Sequence, residues 1–259
     1  MKTAGSMPIG VFDSGVGGIS VLNEIRRILP HEDLIFYGDN QNAPYGTKSA
    51  EEVSRLAENC LKFLLDRGCK MVVIACNTAS AVAIRNLREK YPSIPIVGIE
   101  PAIKPAVLQN PGKNVLLLAT PLTLKQERVL AMAEKYHEIA HLSMKGAKGL
   151  VELIEGGHIF DEELFSFLRG LFSDEFSEDR LPDALVLGCT HYPHVKAAFR
   201  RVLGENVLLY DGGEGTARRC RFLLEEAGIL NGKTEKGSVS FFGSDPEKIP
   251  LCRKLFCEE

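Results

Sequence analysis

The sequence predicts an α/β protein of two similar α/β domains, each with a central, mainly parallel sheet, related by a pseudo-twofold axis. Three observations lead there. First, Met71–Ser80 reads MVVIACNTAS, in which an apolar run goes straight into Cys76 and then into small polar residues. A short apolar run that stops at small polar residues reads as a buried parallel strand ending in a loop. Second, Ala184–Pro193, ALVLGCTHYP, has the same form and delivers Cys189 at the matching place, almost half the chain away. Third, Pro8–Phe12 and Asn114–Ala119 form another pair of apolar runs at a similar offset, ending at Asp13 and Thr120. Two pairs of corresponding strand ends mark an internal repeat. The expected division is residues 1–99 with 210–259 as one domain and 100–209 as the other.

Taken in order, Pro8–Phe12 is the first strand. It opens into Asp13-Ser14-Gly15-Val16-Gly17-Gly18, a glycine-rich loop leading into a helix that reaches about Leu29. Asp33–Gly38 is the second strand, followed by a polar loop, Asp39 to Thr47, punctuated by Pro44 and Gly46. Ser49–Arg67 is a helix. Ser49 and Glu52 make a capping box, Val53, Leu56, Ala57, Cys60 and Leu64 share one face, and Gly68 ends it. That face puts Cys60 in the core. After the Cys76 strand comes a helix to about Lys90, then the strand Pro95–Ile99, ended by Glu100-Pro101. Asn114–Ala119 is a strand, and Thr123 with Gln126 caps the helix that follows. Gly149–Glu155 and Asp161–Phe172 read as helices, and the charged stretch Ser173–Arg180 as a solvated connector. Beyond the Cys189 strand lie the strand Asn206–Tyr210, the helix Gly212–Ala227, the strand Gly237–Gly243 and a closing helix, Pro246–Cys257. The charged runs at 88–90 and 218–226 read as exposed helix faces.

Composition removes several classes of function. The chain has 259 residues, 45% hydrophobic and 25% charged, enough for two domains with real cores. A net charge of −3 sets up no basic field for nucleic acid or an anionic membrane. No apolar run approaches the roughly 18 residues that span a bilayer. The first six residues, MKTAGS, contain no signal-peptide core, so a cytoplasmic protein is expected. The seven cysteines are scattered without a CxxC pair, which indicates neither a disulfide framework nor a zinc ribbon. Cys252 and Cys257 have no histidines nearby, and no metal site is expected there.

The candidate chemistry lies at the strand ends, where open α/β sheets bind ligands. A single buried cysteine is most often a small core residue. Two in matching contexts, Cys76 beside Asn77 and Thr78 and Cys189 beside Thr190 and His191, point instead to a pair of working thiols. The loop 13–18 is neither GxGxxG nor a P-loop, and Asp13 would repel a phosphate. It suits an ammonium group, with Asp13 as ion partner and Ser14 as hydrogen-bond donor. The plainer alternative is that Asp13 or Ser14 caps the helix.

DSGVGG at 13–18, PYG at 44–46, CNTA at 76–79 and CTHYP at 189–193, in that order, resemble the glutamate racemases. These are the cofactor-independent amino-acid racemases that supply D-glutamate for peptidoglycan. The resemblance runs from about Pro8 to Gly243. It implies two α/β domains with the active site in the cleft between them. It implies Cys76 and Cys189 as the two proton-transfer bases, assisted by Asp13 and His191 respectively. Asp13, Ser14, Pro44, Tyr45, Gly46, Asn77, Thr78 and Thr190 would hold the substrate, and Thr120 and Thr123 are counted with them. The family glutamate maps to Glu155 in LIEGG, although the upstream sequence SMKGAKG departs from the family pattern and keeps Glu152 as a second candidate. The implied substrates are D-glutamate and L-glutamate, with no cofactor. The family varies in assembly, homodimers included, and in activation by a cell-wall precursor.

Inverting a Cα requires taking a proton from one face and returning one to the other. Two bases on opposite walls solve that geometry. One thiol must be a thiolate while the other is protonated, and an ordinary thiol pKa near 8.5 allows both. His191 and Asp13 are suited to set those states. Donors such as Ser14, Asn77 and Thr190 would stabilise charge that develops on the substrate. Neither motif loop has a lysine for a pyridoxal Schiff base. Two other readings stand beside this one: a racemase acting on aspartate or another acid with the same thiols, and a non-catalytic amino-acid-binding protein. The two intact cysteines argue against the latter.

Overall fold

The computed structural model describes residues 4–177 and 180–256, with the side chain of Ser177 left out. Cys257, and the Glu178 and Asp179 of the expected connector, lie outside the described residues. The strands are β1 (Ile9–Asp13), β2 (Leu34–Gly38), β3 (Met71–Ile74), β4 (Ile96–Gly98), β5 (Asn114–Ala119), β6 (His141–Gly146), β7 (Ala184–Gly188), β8 (Leu208–Asp211) and β9 (Val239–Gly243). They form two sheets, ordered β4-β3-β1-β2-β9 and β6-β5-β7-β8. Every pairing is parallel. The chain separates into two compact units, Met1–Glu100 with Gly212–Glu259, and Pro101–Asp211.

The two sheets repeat one another. Read from β2, the first runs β2-β1-β3-β4, and the second runs β6-β5-β7-β8 in the same relative order. Parallel neighbours need crossovers, supplied in the first unit by helices Ile19–Ile28, Ala50–Leu65 and Asn77–Lys90. Because the order reverses between β1 and β3, the connections leaving those two strands depart in opposite directions. A crevice opens at such a switch point, beyond the carboxyl ends. The register aligns Phe12 with Ile74 in one sheet and Ala119 with Gly188 in the other. Asp13 and Cys76 therefore emerge from adjacent strand ends, as do Thr120 and Cys189.

Burial follows the strand pleat. In the second unit Leu116, Leu118, Leu185 and Leu187 pack on one face, with Phe172 and Phe199. Val115, Leu117 and Val186 pack on the other, with Ile103 and Val107. Successive side chains alternate faces, so a strand covered on both sides reads as continuously apolar. The first unit is built on Val11, Ile19, Leu22, Phe36 and Val73. Cys60, Cys220 and Cys252 are all buried.

Helix starts largely obey the local rules, with two corrections. The Ser49 hydroxyl accepts from the Glu52 N–H at 3.1 Å, and Gly68 beyond the helix has φ +72°. The expected cap at Thr123 is displaced. Thr120 caps a short helix, Pro121–Leu124, with its Oγ1 accepting from the Thr123 N–H, and Glu127–Tyr136 starts separately after Gln126. Pro121 at the first helical position, its φ already set, starts the turn early. The expected solvated connector also begins with a short helix, Ser173–Ser177, from which Glu175 pairs with Lys145 at 2.7 Å.

At the end of the first sheet opposite the candidate site, Lys70 and Glu32 form a buried ion pair of 2.6 Å, with side chains 1% and 2% exposed. Lys70 Nζ also donates to the Gly5 and Ile229 carbonyls, and Glu32 Oε1 accepts from the Asn231 N–H. The pair thus joins the N-terminal segment, two strand starts and the C-terminal part of the unit. Removing one partner strands a charge in low dielectric. Lys70→Met is expected to destabilise the protein by about 3–5 kcal/mol in urea unfolding. A loss below about 1 kcal/mol would mean that water reaches Glu32 in the variant.

Candidate active site

In the first unit, Asp13 ends β1 and is fully buried, and its Oδ2 accepts from the Gly15 N–H at 3.1 Å. The tight loop depends on Gly18. A Cβ there would stand 2.5 Å from the Asp13 Cβ and 3.1 Å from that of Ala75. Ser14, 5% exposed, sits 3.6 Å from Cys76 Sγ, with the thiol donating to Ser14 Oγ. Cys76 is the N-cap of the helix Asn77–Lys90, and its Sγ accepts from the Ala79 N–H at 3.5 Å. Unsatisfied N–H groups at a helix start stabilise negative charge on sulfur.

Asn77 is the most telling neighbour. It is 4% exposed, and neither its Oδ1 nor its Nδ2 has a hydrogen-bond partner among the described residues. A buried amide left unpaired costs about 1–3 kcal/mol. The amide can therefore accept from or donate to a polar group placed beside the Cys76 thiol. Thr78 beside it is also buried.

The loop after β2 brings in Pro44, Tyr45 and Gly46, with Ala43–Pro44 in the cis form. Tyr45 turns its ring inward. It is 1% exposed, and its hydroxyl donates to Asp39 Oδ2 at 2.6 Å and lies 3.7 Å from Cys60 Sγ. Burial, then the charge of Asp39 and the nearby Cys60, hold its phenol far above the ordinary range. The Tyr45 side chain is thus committed to the protein. Burial, then Asp39, likewise pushes the Cys60 thiol up, which keeps it a core group.

In the second unit, Cys189 follows β7 and is 7% exposed. Its Sγ is 3.7 Å from His191 Nδ1, and His191 Nε2 is 2.7 Å from Glu155 Oε1. With Nε2–H donating to the carboxylate, Nδ1 is the acceptor that faces the thiol. The arrangement is a thiol–imidazole–carboxylate chain, in which the carboxylate orients the ring and stabilises its charged form. Glu155 ends the helix Leu150–Glu155 and makes this contact. Glu152 is exposed. Thr120 and Thr123 are buried and share a 2.8 Å hydroxyl contact at the end of β5, and Thr190 is buried beside Cys189. Asp39 is the site-adjacent residue that motif reading missed. Its signal was an acid directly after a strand, the same pattern as Asp13. Among the described residues no group of three or more His, Cys, Asp or Glu side chains is arranged to hold a metal ion. No helix among them is long and apolar enough to cross a membrane.

The sequence profile of the Asp/Glu/hydantoin racemases matches residues 9–220. The chain belongs to that family. It is an isomerase, and relatives at 42–43% identity over 96% of the chain are glutamate racemases. The glutamate racemase of Clostridium botulinum (strain Langeland / NCTC 10281 / Type F) is 43% identical over 251 residues, 96% of each chain. The glutamate racemase of Francisella tularensis, solved with D-glutamate, superposes with a TM-score of 0.82 at 32% identity, over 97% of this chain and 94% of that one. The Escherichia coli glutamate racemase, solved with L-glutamate and the activator UDP-MurNAc-Ala, superposes with a TM-score of 0.84 at 32% identity, over 96% and 95%.

Asn77 carries its unpaired amide at a cost in stability. Asn77→Leu, similar in size and apolar, should leave thermal stability unchanged or raise it by up to about 1 kcal/mol. A clear drop in the melting temperature would show that the amide is satisfied in the free protein.

Proposed function

We propose that the protein interconverts L-glutamate and D-glutamate by two-base proton transfer at Cα, with Cys76 and Cys189 as the bases. The observation that carries this reading is the pair of thiols at corresponding strand ends of two repeated sheets, each with its own proton partners. One thiolate takes the Cα proton and becomes a thiol. The other thiol protonates the opposite face and becomes a thiolate, so nothing is consumed. The reading requires the two thiols to meet opposite faces of one bound amino acid. Asp13 and Ser14 receive the ammonium end, and the main chain at 44–46 with Asn77, Thr78 and Thr190 receives the carboxylates. Thr120 and Thr123 complete the substrate-binding set. Donors that strengthen as the Cα proton leaves lower the barrier. Cys76 takes the proton from D-glutamate with help from Asp13. Cys189 takes it from L-glutamate, with His191 as proton relay and Glu155 as its anchor. No metal or organic cofactor enters the scheme. The product D-glutamate would serve peptidoglycan synthesis in the cytoplasm.

Purified protein incubated in D₂O with either glutamate enantiomer should racemise it and place deuterium at Cα, while aspartate stays unchanged. Absence of exchange from both enantiomers would overturn the reading, and exchange of aspartate in preference to glutamate would redirect it. Cys76→Ser and Cys189→Ser should each lose racemisation by at least about a thousandfold. Each should still expel chloride from one enantiomer of a β-chloro-glutamate, Cys76→Ser from the L form and Cys189→Ser from the D form. The same preference in both mutants would refute the assignment of walls.

The relay separates two similar carboxylates. Glu155→Gln should lower kcat roughly ten- to hundredfold, while Glu152→Gln stays within about twofold of the parent. The reverse ranking in steady-state kinetics would remove Glu155 from the relay.

A further inference from the structure

Asp39 has no role in the scheme above, yet it is a buried carboxylate at the heart of the first unit. It stands at the carboxyl end of β2 and is 4% exposed. Among the described residues no lysine, arginine or histidine pairs with it. What holds it is a set of neutral donors. The Tyr45 hydroxyl donates to Oδ2 at 2.6 Å, and the Asn42 amide donates to both oxygens at 3.0 and 3.1 Å. Its own N–H donates to the Asp13 carbonyl at 2.9 Å, and its carbonyl accepts from the Asn42 N–H at 3.0 Å. A charge buried without a counter-ion is expensive, and hydrogen bonds to it are correspondingly strong. Those bonds converge on one stretch of chain. From the Asp13 loop the links run through Asp39 to Asn42 and Tyr45, on either side of Ala43 and Pro44.

We infer that Asp39 is a positioning residue: its carboxylate, acting through the Tyr45 hydroxyl, holds the main chain of Pro44–Gly46 in register with the loop that carries Asp13. This rests on the reading of residues 44–46 as substrate contacts. The Tyr45 side chain is buried and its hydroxyl also reaches Cys60 on the helix Ala50–Leu65, so the phenol is a strut rather than a ligand. The Asp39 link to the Asp13 carbonyl is main chain and survives every substitution at Asp39. A misplaced strut therefore shifts the main chain at 44–46, which holds the substrate and moves no proton, so the loss falls on binding.

The test compares Asp39→Ala, Asp39→Asn and Tyr45→Phe in full-length protein, with steady-state kinetics for both enantiomers and hydrogen–deuterium exchange over residues 40–47. Asp39→Ala and Tyr45→Phe should raise KM for both enantiomers about tenfold, with kcat within about threefold. Asp39→Asn keeps an oxygen that accepts from Tyr45, so KM should return to within about threefold of the parent. Exchange at 40–47 should quicken in the first two variants and not in the third. A stabilising role alone would lower the melting temperature and leave KM of the folded enzyme unchanged. That result in Tyr45→Phe, which alters only one hydroxyl, would overturn the inference. So would a loss of kcat at constant KM. Should the parent protein fail to racemise glutamate, the functional reading falls by itself. The exchange data then decide alone, and unchanged exchange in Asp39→Ala removes the strut.

Discussion

Parallel strands can be joined only by crossovers, and in both units that constraint decides where chemistry can sit. Each crossover delivers a helix start next to a strand end, so main-chain N–H groups, short polar loops and side chains from neighbouring strands gather at one edge of the sheet. Asp13, Asp39 and Cys76 leave three strand ends of the first sheet, and Thr120 and Cys189 leave two of the second. The reversal of strand order between β1 and β3, and between β5 and β7, opens a crevice at the carboxyl edge of each sheet by itself. The strand starts at the other edge of the first sheet carry the Lys70–Glu32 pair, which has a purely mechanical part.

One scaffold used twice has been given two different proton environments. Cys76 sits at a helix start, with a serine hydroxyl and a main-chain N–H against its sulfur. Cys189 faces an imidazole that is itself anchored by a carboxylate. The first arrangement steadies charge on sulfur with fixed dipoles. The second provides a titratable group able to carry a proton.

The strand ends were readable in the sequence because apolar runs that stop at Asp13, Cys76, Thr120 and Cys189 have few other interpretations. Edges were harder. β6 is mostly exposed, so His141–Gly146 lacks a strand's apolar signature, and Pro105 disguises the helix Ile103–Gln109 as a break although it lies in the first turn, where proline is tolerated. Glu152 and Glu155 are three apart on one helix and share a side, so spacing cannot rank them. Only the position of His191 does. Asp39 stayed hidden for a related reason, since its partners, Asn42 and Tyr45, lie in a loop whose path follows no periodic pattern.

The first unit is assembled from both ends of the chain, and this bears on how the protein is made. β9 pairs with β2, and residues 229–231 cover the buried Lys70–Glu32 pair, yet both segments leave the ribosome after the whole of the second unit. Until they arrive, β2 is an open edge and Glu32 lacks the N–H of Asn231. Sheet edges of that kind recruit other strands. The second unit, encoded in one continuous stretch, can close while the first still waits for its last strand. A nascent chain stalled or truncated near residue 230 would therefore hold a finished domain beside an unfinished, aggregation-prone one.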